Sequence, residues 1–258
     1  MIAVETLTFG HRGAPAPVLR DIGFTLAPGQ VTTLLGPNGS GKTSLLRCVA
    51  GHWRPQAGRV LLAGDDVAAL SARDRAKRLA LVPQDQGVAF SYSVRDMVLM
   101  GRGPHVGAFG MPGAADRDLA RQALEAVGIA ALADRDIRRI SGGERQLALV
   151  ARALAQATPA LLLDEPTSHL DLRNQLAVMA RIRDIVRDRG LTVLMTLHDP
   201  NLALMFADRV LLLKDGRVAA DDRPDRAITE STVHAVYGVA ADVRESGGRR
   251  WIVPRDME

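Results

Sequence analysis

Residues Gly36, Pro37, Asn38, Gly39, Ser40, Gly41, Lys42 and Thr43 follow the spacing G-x-x-x-x-G-K-[ST]. They stand directly after the short apolar run 31–35 and directly before a helical pattern carrying Leu45, Leu46 and Val49. This spacing suits phosphate chemistry. Glycines let successive backbone N–H groups turn inward around phosphate oxygens, and a following helix N-terminus adds partial positive charge. Lys42 is expected to reach the β- and γ-phosphates, and the Thr43 hydroxyl to ligate Mg²⁺. Lysine is rare here: of 33 basic residues only Lys42, Lys77 and Lys214 are not arginine. A second apolar run, 161–163, ends in Asp164-Glu165. A strand ending in carboxylates delivers them to the sheet edge where α/β folds bind ligands. Asp164 is expected to hold Mg²⁺ through a water, and Glu165 to polarise an attacking water.

A third cluster opens a long helical pattern: Ser141, Gly142, Gly143, Glu144. Ser141 and Glu144 have capping-box spacing, which by itself is structural. The two glycines are not needed for a cap, and each costs about 1 kcal/mol in helix propensity. They make sense where a ligand approaches the backbone of a second helix N-terminus. One phosphate loop and one such helix start do not easily share a nucleotide within a chain; two copies arranged head to tail do.

These residues need rigid elements to hold them. The first 30 residues alternate as antiparallel strands closing on Pro28-Gly29, and strand, glycine turn and helix then open a doubly wound α/β core. Residues 85–155 read as a helical insertion. Ser93 and Asp96 mark a helix start, Gly101 a stop, and helical spacing returns in 116–127 and from 141 onward. Strand, helix and strand follow over 160–197, with a hairpin at Asp215-Gly216, a short helix after 222 and a second hairpin at Gly247-Gly248.

Composition bounds the partners. The chain has 258 residues, 47% hydrophobic, with a net charge of +4 spread along its length, which gives no argument for nucleic acid. Its apolar runs are far shorter than the roughly 20 residues needed to span a bilayer. The first ten residues do not resemble an export signal. Cys48 is the lone cysteine, which excludes an internal disulfide and reads as a small core residue. His52, His105, His169 and His234 lack metal-ligand spacing.

Taken in order, GPNGSGKT, LVPQ, ISGGERQ, LLLDEP, SHLD and His198 resemble the ATPase subunits of ABC transporters across residues 1–220. The resemblance implies a P-loop, RecA-like α/β core with an antiparallel β subdomain and a helical insertion. It divides the chain into an ATPase domain, 1–221, and a small extension, 222–258. It also implies ATP and Mg²⁺ as cofactors, with Thr43, Gln84 and Asp164 at the metal. Gln84 matches the Q-loop glutamine, which senses Mg²⁺ and the γ-phosphate and acts with Glu165 and His198 in catalysis. Ser141, Gly142 and Gly143 would bind the nucleotide held by the partner copy. Asp171 matches the D-loop aspartate at the dimer seam, and His198 the switch histidine. Where most relatives stack adenine on an aromatic residue, this chain has His11, whose imidazole can also stack.

Gly101 to His105, Pro166 to Gln175 and Val236 to Val239 resemble importer ATPases that serve iron–siderophore, haem and vitamin B12 permeases. The resemblance implies a peripheral subunit on the cytoplasmic face of the inner membrane. It would pair with an integral-membrane permease, indirectly with a solute-binding protein, and with a second copy of itself. Residues from about 85 to 110 would form much of the groove for a cytoplasmic helix of the permease. Importers of molybdate and free metal ions share much of this wording, and soluble ABC ATPases of similar length that act in cytosolic assembly, such as iron–sulfur scaffolds, stand as a further alternative.

Overall fold

The structure, a computed structural model, describes residues 1–84, 91–107 and 110–255. Part of the expected permease groove, 85–90 and 108–109, lies outside the described residues. The chain forms two compact units, one of Met1–Ala69 with Thr192–Glu258 and one of Leu70–Leu191.

In the first unit, β1 (Ile2–Phe9) pairs antiparallel with β2 (Leu19–Leu26), as the alternation at the N-terminus predicts. On its other edge β1 pairs with β4 (Ala57–Leu62), which continues to the short β5 (Asp65–Asp66). The buried strand β3 (Gln30–Leu35) leads through the glycine turn into α1 (Lys42–Val49), which buries Leu45, Leu46, Cys48 and Val49. Burial pushes the Cys48 thiol up to about 12. It is a core residue, as expected.

The second unit contains α2 (Ala72–Ala76), β6 (Leu79–Val82), α3 (Val94–Leu99), α4 (Ala114–Val127), α5 (Gly142–Ala155), β7 (Ala160–Leu163) and α6 (Leu172–Arg189). Strands β6 and β7 run parallel, Leu79 beside Ala160 through Val82 beside Leu163. Helices α3, α4 and α5 pack on one another and form the helical insertion. Ser93 caps α3 by accepting from the Asp96 N–H at 3.0 Å, as its spacing predicts.

Gly101 does more than stop α3. It lies in a tight 3₁₀ turn, Met100–Arg102, where an added Cβ would stand 2.1 Å from the Arg152 carbonyl of α5. The neighbouring Arg102 is buried and pairs with Asp116 of α4 at 2.9 Å while donating to the Ala155 carbonyl at 2.8 Å. The His105 Nε2 lies 2.8 Å from the Gln156 carbonyl. A buried guanidinium needs such partners, so the turn is fixed to both helices at once.

The chain then returns to the first unit with β8 (Thr192–Thr196), α7 (Pro200–Phe206), β9 (Arg209–Lys214) and β10 (Arg217–Asp222). Strand β3 is flanked by β8 and β9, both parallel to it, and β10 pairs antiparallel with β9 around Asp215-Gly216. After α8 (Pro224–Ala227) and α9 (Glu230–Tyr237), the hairpin of β11 (Ala241–Ser246) and β12 (Arg249–Pro254) turns at Gly247-Gly248. Both hairpins fall where turn chemistry predicts them.

Gly101→Ala must push the turn off α5. Overpacking of this kind costs about 1–3 kcal/mol. Urea unfolding should show that loss; wild-type stability would mean the turn yields without cost.

Candidate active site

Strand β3 delivers the phosphate loop in the first unit. Gly36 has φ 152°, and a Cβ there would lie 2.2 Å from the Leu213 carbonyl of β9, so no other residue fits. The loop closes with the Ser40 N–H donating to the Pro37 carbonyl at 3.2 Å, and Gly41, φ 104°, leads into α1. Lys42 is 7% exposed, and its ammonium donates to the carbonyls of Gly36 at 2.7 Å and Pro37 at 3.1 Å. The ammonium therefore folds back across the loop. Ser40 is buried, and its hydroxyl has no hydrogen-bond partner among the described residues. Buried polar atoms are ordinarily satisfied, so this one fits a cradle whose ligand supplies the missing partner.

In the same unit, His198 is exposed just past the end of β8. The Leu197 N–H donates to the Leu34 carbonyl at 3.2 Å, which ties this segment to the strand that carries the loop. His11 is also exposed, with its ring edge-on to Phe9 at 5.1 Å and to Trp53 at 4.9 Å. Phe9 and Trp53 stack on each other at 5.2 Å, and the Arg47 guanidinium sits 4.9 Å from the Trp53 centroid. The sequence reading identified only His11. The rarity of aromatics, with two Trp and five Phe in the chain, was the signal available for its neighbours.

In the second unit, β7 ends at Asp164, 6% exposed, whose backbone N–H donates to the Val82 carbonyl of β6 at 2.8 Å. Glu165 follows with φ 50°, an uncommon conformation for a residue with a side chain. Its carboxylate accepts from the Gln84 amide, so the two expected catalytic groups of this unit meet. The oxygen donors of Thr43, Gln84 and Asp164 have the hardness that Mg²⁺ prefers.

Ser141 caps α5 through a full box. Its N–H donates to Glu144 at 2.8 Å, and the Glu144 N–H donates back to the Ser141 hydroxyl at 3.3 Å. The two glycines then separate in role. A Cβ on Gly143 would come within 2.8 Å of the Asn174 side chain of α6, so Gly143 is small for packing, while Gly142 is exposed. Asn174 is itself held by Asp171, which caps α6 by accepting from the Asn174 N–H at 2.8 Å. Asp171 thus has a structural duty, and through Asn174 it is linked to the Ser-Gly-Gly helix start.

The description ABC transporter matches residues 19–168. The chain is 42% identical over 220 residues to the cobalamin import ATP-binding protein of Halobacterium salinarum, covering 85% of this chain and 55% of that one. It therefore spans about half the length of the first curated relatives it matches. It is 43% identical over 244 residues to the hemin import ATP-binding protein of Pseudomonas entomophila, covering 93% of each. Among solved structures, a metal-chelate type ABC transporter in an inward-facing conformation matches with TM-score 0.86 and 32% identity, over 99% of this chain and 97% of that one. A dimeric bacterial ABC transporter cassette matches with TM-score 0.74 and 25% identity, over 87% and 99%.

The Ser141 N–H, then the Ser141 hydroxyl and the Arg135 charge, hold the Glu144 carboxyl below its usual range. A lowered folded value means the box stabilises fully above the ordinary carboxylate range and is lost as pH falls through the lowered value. Thermal midpoints of the wild type and Glu144→Gln should therefore converge on acidification from pH 7 to pH 3. A pH-independent gap would contradict the box.

Proposed function

The chain belongs to the ABC transporter family, and from that premise we propose that it is the ATP-hydrolysing subunit of an importer. The observation that carries this reading is the buried Lys42 ammonium, hydrogen-bonded across a glycine loop at the end of a parallel strand. When ATP binds, Lys42 exchanges the Gly36 and Pro37 carbonyls for β- and γ-phosphate oxygens, and the backbone N–H groups of 36–43 take up the rest. Thr43, Asp164 and Gln84 would hold Mg²⁺, which would neutralise the phosphate charge. Glu165 accepts a proton from the attacking water, and the Gln84 amide orients the carboxylate for it. His198 contacts the γ-phosphate, and His11, backed by Phe9 and Trp53, stacks on the base.

The second copy completes each site with Ser141, Gly142 and Gly143, and Asp171 lies at the seam between copies. The exposure of Gly142 supports that reading, as does the likeness to a dimeric cassette. Residues 1–221 form the ATPase domain and 222–258 an extension.

The partner that uses the hydrolysis is an integral-membrane permease. The importer names of its relatives support a peripheral subunit at the cytoplasmic face of the inner membrane; among the described residues no helix is long and apolar enough to cross a membrane. A groove of about 350 Å³ among Leu99, Met100, Val106 and Pro112, beside the highly exposed Met111, suits an amphipathic cytoplasmic helix of the permease. The fixed Gly101–His105 turn behind it ties such a helix to α5. The names of the relatives support a cargo of the class iron chelate, haem, cobalamin or related metal compound, which a solute-binding protein would deliver.

Two variants test the chemistry. Lys42→Ala should lose ATP affinity outright in equilibrium binding. Glu165→Gln should bind ATP as the wild type does and lose turnover by about 100-fold or more, the scale of a general base. Unchanged affinity in the first removes the phosphate-loop assignment; wild-type turnover in the second moves the base elsewhere.

A further inference from the structure

Helix α1 begins at the phosphate loop, and the turn at its far end carries Trp53 to His11. Gly51, φ 67°, closes the helix in the left-handed region. Its N–H donates to the Cys48 carbonyl at 2.9 Å, and the N–H groups of His52 and Trp53 both donate to the Arg47 carbonyl, at 2.9 and 3.3 Å. The turn brings the chain back over the last turn of α1, where the Arg47 guanidinium sits 4.9 Å from the Trp53 centroid. Trp53 is thus fixed to α1 by its backbone and by a cation–π contact.

The loop that carries His11 is fixed from the other side. The Val18 N–H donates to the Phe9 carbonyl at 2.7 Å, and the Ala14 N–H to the His11 carbonyl at 3.0 Å. The chain after Trp53 returns to the same strand, with the Gln56 N–H donating to the Thr8 carbonyl at 2.8 Å. The half-buried Trp53 indole lies nearly parallel to the buried Phe9 ring, at 12°. The exposed His11 ring stands nearly perpendicular to both, at 82° to Phe9 and 81° to Trp53. An exposed imidazole by itself keeps its rotamer freedom. Held by two rings, it meets a ligand without paying that ordering cost again.

We propose that Trp53 is a positioning residue for nucleotide recognition. It holds the His11 imidazole for the base, so that the site selects nucleoside triphosphates by stacking area, purine over pyrimidine. Helix α1 then serves the phosphates at Lys42, its first residue, and the base through the turn that follows it. This rests on the reading of His11 as the residue that stacks on the base. Trp53 acts through His11 and does not touch the nucleotide. The effect has the size of one aromatic pair, about two- to tenfold in an equilibrium constant.

Equilibrium binding of ATP and CTP to the full-length chain tests the role. The wild type should prefer ATP. Trp53→Leu should weaken ATP binding about fivefold and leave CTP within about twofold, with kcat for ATP within about twofold. Trp53→Phe keeps a ring in place and should retain most of the preference. A packing role would weaken both nucleotides alike or change the melting temperature alone. Either result overturns the proposal, as does a wild-type preference in Trp53→Leu. If Trp53→Leu does not fold, Trp53 can be followed in place, because Trp251→Phe leaves it the one tryptophan of the chain. ATP should then change its emission more than CTP does, and His11→Ala should abolish the difference. Equal changes with the two nucleotides overturn the proposal. A wild type without preference, or His11→Ala with full preference, overturns the His11 reading itself.

Discussion

A buried ammonium has to be satisfied, and in this chain the Lys42 charge is satisfied by the loop it belongs to. Moving such a charge out of water costs several kcal/mol unless hydrogen bonds replace the lost hydration. The carbonyls of Gly36 and Pro37 do so, and only while the loop keeps its turn. That turn requires Gly36 to lie against the Leu213 carbonyl, which requires β9 beside β3 in register, Leu35 opposite Leu212. The hairpin of β9 and β10 and the helices behind it extend the same constraint. A loop already shaped in this way needs little reorganisation to receive phosphate, the condition for tight binding of a small charged group.

The second unit solves a related problem with helix caps. Ser141 and Glu144 satisfy each other's backbone donors, Asp171 holds Asn174, and Asn174 fills the space that Gly143 leaves open. The result is a helix N-terminus whose last exposed, side-chain-free position is Gly142. The Gly101–Arg102 turn fixes the far end of the same helix through Arg152 and Ala155. That turn and the Ser-Gly-Gly start therefore lie at opposite ends of one helix, α5. Glu165 and Gln84, joined at β7 and β6, complete the unit's polar chemistry.

The phosphate loop, the strand ending in Asp164, both hairpins and the caps at Ser93 and Ser141 were legible because each is a local rule, set by neighbours within a few residues. Other features were not. Strand β4 opens with exposed Ala57, Gly58 and Arg59 and carries little alternation. Helices α2 and α7 are only five and seven residues long, too short for periodicity to register, and depend on the caps of Ser71 and Asp199. Gly101 looked like a helix stop because the carbonyl it makes room for belongs to another helix. Trp53 behind His11 and Asn174 against Gly143 are partners distant in sequence. No spacing rule reaches them.

The central claim is that Ser141 to Gly143 complete a nucleotide site on a second copy of the chain. Gly142→Arg, placed on a Glu165→Gln background that retains ATP, tests it directly by ATP titration together with size exclusion. A signature acting between copies leaves ATP affinity of the monomer intact and abolishes the ATP-dependent dimer expected of Glu165→Gln alone. Loss of ATP binding by the monomer, or a dimer that forms regardless of the arginine, would contradict it.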